Sequence, residues 1–133
     1  MMRAMGFVLC PVMLLIGCID FGSGTDIVEV LNEKASPNGK FIATRFSCSG
    51  GGAAGYLYWN ASLRKAGEKL DQRDGLLGKH KTWKGFYQID VRWIDDGNLE
   101  VSYELDVSPA YREHIAVRVE SKHGIKIRYV VKK

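Results

Sequence analysis

Tyr87-Gln88-Ile89-Asp90-Val91-Arg92-Trp93, then Asp95-Asp96-Gly97-Asn98, then Leu99-Glu100-Val101-Ser102-Tyr103-Glu104-Leu105 is the stretch that decides the fold class. Apolar and polar side chains alternate with a period of two on both sides of a turn signal. Successive side chains of a strand point to opposite faces, so this pattern marks two half-buried strands joined by a tight turn. Tyr87, Ile89, Val91 and Trp93 share one face, with Gln88, Asp90 and Arg92 opposite. Leu99, Val101, Tyr103 and Leu105 make the matching face of the second strand.

The same period runs outward in both directions. Beyond Ser108-Pro109, Ile115, Val117 and Val119 continue the apolar face, and Ser121-Lys122-His123-Gly124 turns into Ile125, Ile127, Tyr129 and Val131. These segments predict a C-terminal four-strand antiparallel meander with one apolar and one charged face. Toward the N-terminus, strands are predicted over Ile27 to Lys34, Phe41 to Cys48 and Tyr56 to Leu63. Asn38-Gly39 turns the first pair, because both residues tolerate positive φ. Gly50-Gly51-Gly52 precedes the third strand. Residues 64–81 lose the alternation and read as a long loop, with a short helical turn around Ala66 to Leu70. A sheet with one apolar face must cover it. The N-terminal strands, through Ile42, Phe46, Leu57 and Trp59, are the cover the sequence offers. The expectation is an all-β domain, a small antiparallel β-sandwich or a curled sheet, without internal repeats.

The chain of 133 residues holds 46% hydrophobic and 26% charged residues, a composition that suits one ordered domain rather than a disordered chain. Its start reads differently from the rest. Arg3 precedes an apolar run from Gly6 to Ile16 that Asp20 ends, too short for a comfortable transmembrane span of about 20 residues. Leu15-Ile16-Gly17-Cys18 closes that run. These residues resemble the lipobox of bacterial lipoproteins. The resemblance implies cleavage after Gly17, a diacylglycerol on the Cys18 thiol and acylation of the new amine. Two or more acyl chains, at about 0.8 kcal/mol per buried methylene, suffice for stable anchoring. The expected organisation is a cleaved signal segment over 1–17, the lipidated cysteine and a flexible tether over 18–26, and one β domain over 27–133. Ile19 rather than an aspartate follows the cysteine, which by the same resemblance favours the outer membrane, facing the periplasm, in a Gram-negative cell. Ser36-Pro37-Asn38-Gly39-Lys40-Phe41 and Trp93-Ile94-Asp95-Asp96-Gly97-Asn98-Leu99 resemble the two turns of a TolB-type β-propeller blade, and the chain is similar to small envelope lipoproteins with a single such β domain. That likeness supports the strand assignments and implies no active site.

Without Arg3 the chain carries 18 basic against 15 acidic side chains, a mixed-sign excess of +3 that does not make a nucleic-acid surface. His80, His114 and His123 are scattered among basic residues without metal-ligand spacing, and Asp95-Asp96 lacks the ligand spacing of a calcium loop. The glycine run lacks the Gly-Lys-Ser/Thr ending of a phosphate loop and leads into a strand. Asn60-Ala61-Ser62 fits a glycosylation sequon by coincidence, on an apolar-patterned strand. No metal and no cofactor beyond the lipid on Cys18 is expected. Cys48, in Ser47-Cys48-Ser49-Gly50, could serve a thiol-dependent hydrolase or redox reaction with His114 or His123 as base. Its place in the alternation with Ile42 and Phe46 instead makes it a buried, inert side chain. The function expected is that of a non-enzymatic envelope module that binds a protein or other envelope component. Its candidate surface is the strand after the glycine run. If Leu57, Trp59, Ala61 and Leu63 face the core, Tyr56, Tyr58, Asn60 and Ser62 face outward, and exposed tyrosines are enriched at interfaces.

Overall fold

The computed structural model describes residues 26–52, 55–78 and 85–132. Residues 1–25, with the expected signal segment, Cys18 and nearly all of the tether, lie outside them, as does His80. Strands β1 (Ile27–Ala35), β2 (Phe41–Gly50) and β3 (Tyr56–Lys65) form an antiparallel sheet in the order β1-β2-β3. Strands β4 (Phe86–Asp95), β5 (Asn98–Leu105), β6 (Ser121–Lys122) and β7 (Ile125–Val131) form a second sheet in the order β4-β5-β7-β6. The chain is all-β, and the two sheets pack in the manner of a sandwich. Leu63 and Ala61 of the first sheet meet Phe86, Ile89, Val91, Leu99, Val101, Tyr103, Ile125 and Ile127 of the second in one buried cluster. At the first turn Gly39 has φ 74°, and Asn38 Oδ1 accepts from the Lys40 amide at 3.0 Å. Among the described residues no helix is long and apolar enough to cross a membrane.

The four-stranded C-terminal sheet is present, but it is not a meander. β5 and β7 lie side by side in parallel, with Val101 opposite Tyr129. Parallel neighbours require a crossover of about a dozen residues or more, and the segment read as a third long strand belongs to that crossover. Ser108 Oγ accepts from the Ala110 amide and Pro109 takes the first helical position, so the chain makes a 3₁₀ turn (Pro109–Tyr111) and then helix α1 (Arg112–Ile115). Its Val117 and Val119 then join the long loop rather than β5. The Gly78 amide donates to the Val117 carbonyl, and the Val119 amide to the Leu76 carbonyl.

That loop is also more ordered than its sequence suggests. The helical turn expected at Ala66 to Leu70 is a set of non-helical turns. Further on, the Leu76 amide donates to the Ala61 carbonyl of β3 at 2.8 Å, and Leu77 pairs with Arg118. The Ile127 amide donates to the Glu120 carbonyl, while the Tyr129 hydroxyl donates to the Val119 carbonyl. Backbone hydrogen bonds therefore lead from one sheet to the other along this side, and the seam is closed. On the opposite side β1 and β4 share no ladder among the described residues. The Trp93 indole donates to the Lys34 carbonyl at 2.8 Å, and Asp96 accepts from the Asn38 amide at 2.7 Å. These bonds pin one end of the seam. The other end stays open.

The facing of the first sheet also departs from expectation. Ile42 and Phe46 do not share a face with Leu57 and Trp59, because Phe46 is paired with Asn60 and Ser47 with Trp59. The inward set is Ala43, Ala61 and Leu63, with Phe41 and Trp59 against it. Phe46, Cys48 and Tyr58 form a second buried cluster on the other face, covered by Val28, Tyr56 and Leu70. Both faces of β3 are thus enclosed. The covering segment lies so close that a Cβ added at Gly75 would sit 2.2 Å from the Asn60 amide nitrogen.

Candidate functional site

The expected outward patch on β3 is not a surface. Tyr58 is fully buried and Asn60 is 3% exposed. Asn60 acts as a substitute for a backbone pair: its Nδ2 donates to the Leu77 carbonyl at 2.9 Å, and its Oδ1 accepts from the Leu77 amide at 3.0 Å. The same oxygen accepts from the Ala61 amide at 2.7 Å. Tyr58 is the cross-strand neighbour of Cys48. Burial pushes its hydroxyl far above the ordinary tyrosine range, and a hydrogen bond with Cys48 adds to the shift. Half-buried Tyr56 stacks on Tyr58 with ring centroids 6.2 Å apart. Only Leu57, expected to face inward, is well exposed on this part of the strand.

Cys48 is fully buried, in line with its place in the alternation. His123 stacks on Phe41, which lies at the other end and on the other face of β2 from Cys48. The backbone of His114 belongs to α1, in the crossover. Cys18 lies outside the described residues. Among those residues no group of three or more His, Cys, Asp and Glu side chains could hold a metal ion.

The open seam holds a cleft of about 240 Å³ lined by Leu31, Arg45, Trp59, Tyr87, Gln88 and Ile89. Two irregularities in the strands shape it. β1 shifts register between Val30 and Asn32, which sets Leu31 as an extra residue at the rim. β4 shifts between Tyr87 and Asp90, and Gln88 there has φ 49°. Bulges re-aim side chains, and a non-glycine residue at positive φ stores backbone strain that the surrounding structure must hold in place. Lys132 does the holding: its ammonium donates to the Gln88 carbonyl and to Asp90, both at 2.6 Å. Trp59 and Tyr87, one from each sheet, face one another with centroids 6.1 Å apart.

Arg45 projects from the inward face of β2, where its charge could not be accommodated in the core. It leaves through the seam instead. Nη1 donates to the Ile89 carbonyl on the edge of β4 at 3.2 Å and lies 3.5 Å from Asp90. Nε is buried with no acceptor among the described residues. A concave site with apolar and aromatic walls and a few fixed polar groups is what small ligands and peptide ends occupy. A second recess, lined by Ser62, Arg64, Glu68, Asp71, Asp74 and His123 among others, differs in kind. Several of its charges are engaged within the protein: Arg64 with Glu33, Asp74 with Lys122, Asp71 with Arg73.

The cleft escaped the sequence because bulges carry no reliable local mark. One signal was available, an arginine at an inward position of a strand between Ala43 and Ser47. Comparison with known proteins finds no family model, no curated protein and no solved structure that matches this chain.

Proposed function

We propose that this protein is a lipid-anchored module of the bacterial cell envelope that binds its partner, without catalysis, in the cleft of the open seam. The cleft carries the binding part of this reading. It is the place where aromatic, aliphatic and cationic side chains converge from both sheets. The anchor part is supported by Leu15-Ile16-Gly17-Cys18, and the outer membrane by Ile19 after the cysteine. A thiol-dependent reaction has less support, since a nucleophile must reach its substrate and Cys48 is fully buried.

Two experiments test the two parts. Cys18→Ala should abolish fatty-acid labelling and block maturation, and processing of the variant to the unaltered mature size would refute the anchor. A photoreactive residue at Trp59 should give a discrete adduct with an envelope component in intact cells, and the same residue at Lys126 on β7 should not. Equal adducts from both positions, or none from Trp59, would refute the cleft as the binding site.

A further inference from the structure

One cation at the cleft keeps donors without partners among the described residues. Lys132, Arg45 and Lys34 all act on one carboxylate, Asp90, which the Lys132 hydrogen bond and then their charges hold below its ordinary range. A second acid, Asp106, accepts from the Tyr87 hydroxyl at 3.3 Å, at the far tip of that ring. Lys132 is spent on Asp90 and on the Gln88 carbonyl. Arg45 is not spent. A guanidinium has five N–H donors in a planar fork, and Arg45 directs one group, Nη1, to the Ile89 carbonyl. Among the described residues no acceptor is assigned to Nη2, and the side chain keeps 31% of its surface open. Beside this cation the walls are apolar: Leu31 and Ile89 flank the Trp59–Tyr87 pair. An anion with an apolar body would complement both halves of the site, and the planar fork matches a carboxylate best.

We infer that the cleft receives the carboxylate of an apolar or aromatic acid, with the anion on the outer nitrogens of Arg45 and the body between Leu31, Ile89 and the Trp59–Tyr87 pair. This inference rests on the cleft being the binding site. Such a carboxylate can come from a free small acid or from the C-terminal residue of a peptide. Both present the same chemistry to the site.

The test uses the full-length chain in lipid nanodiscs and follows the Trp59 indole and Ile89 amide resonances by NMR. The probes are 3-phenylpropionate, 3-phenylpropionamide, and a tetrapeptide ending in phenylalanine, as free acid and as amide. The acids should shift both resonances saturably, and each amide should bind at least tenfold more weakly than its acid. Arg45→Gln should remove that preference for acid over amide, and Arg45→Lys should restore part of it if the first variant is poorly folded. A peptide acid binding tenfold tighter than phenylpropionate would identify a chain terminus as the source, and equal affinities a small acid. Acids and amides of equal affinity on the unaltered protein would overturn the inference while leaving the cleft as a binding site. If no probe moves either resonance, the inference falls together with the cleft.

Discussion

Asn60 shows how a polar residue in a strand can be structural through and through. Its amide closes both backbone groups of Leu77 and the amide of Ala61, all in the interior. Asn60→Ala would leave those groups without partners, and each buried orphan costs about 1–3 kcal/mol. The variant should therefore lose at least about 2 kcal/mol in chemical denaturation. Asp90 gives a prediction with a pH signature. Its carboxyl is held below the ordinary 3.8, first by the Lys132 hydrogen bond and then by the charges of Lys132, Arg45 and Lys34. A carboxyl that ionises more readily in the native state stabilises it fully above its unfolded-state value. That contribution fades as the pH falls through the lowered native value. Asp90→Asn should thus be less stable than the unaltered protein at neutral pH, with the gap closing below 3.8. Asp90 is more than half exposed, so solvent screening keeps the neutral-pH gap under about 1 kcal/mol. Cys48 shares one period with Ile42 and Phe46 and is buried as expected, but on the face that a distant loop covers, together with Tyr58 and Asn60. Alternation carries no sign of such a loop, so the burial of Tyr58 and Asn60 could not be read from it.

At the level of elements, the local signals were sufficient for six strands and their turns, but Ile115 to Val119 form no strand and the expected turn at Ser121-Lys122 is the short strand β6. Asn38-Gly39, Asp96-Gly97 and His123-Gly124 all turn the chain where positive φ tolerance or a short polar side chain allows. Pairing between distant elements was a different matter. Ile115, Val117 and Val119 alternate like a strand beside β5, yet Val117 and Val119 bond to Gly78 and Leu76, about 40 residues earlier, a distance over which no periodicity carries information. The bulges at Leu31 and Gln88 were hidden for a related reason. One extra residue changes which face the following side chains take without altering their composition. The open seam offers a direct test at this scale. Trp93→Phe keeps the ring against the core and removes the hydrogen bond to the Lys34 carbonyl. It should lower stability by about 0.5–1.5 kcal/mol. Amide exchange in β1 should speed up while exchange in β7 stays tied to global unfolding, and uniform acceleration would show that the indole does not pin this seam.

Across the whole molecule, the two seams differ in how they would bear a load, and that difference has a mechanical consequence. Among the described residues β1 is the first edge strand, paired only with β2, and it starts at the open end of the sandwich. Tension applied at Asp26 falls first on the Ile27–Ser49 pair, then on Val28–Cys48, and so on in turn. Bonds loaded one after another yield at far lower force than a ladder sheared as a unit. By the time Leu31 is drawn off, the cleft has lost one wall while the closed seam at Leu76 to Gly78 is still intact. Pulling on single molecules between Asp26 and Lys132 should therefore show a first small step, close to the 9 residues of β1, or about 3 nm of extended chain, before the main rupture. A protein held by its N-terminal end and gripping a partner in that cleft would let go before it came apart, with β1 acting as the fuse.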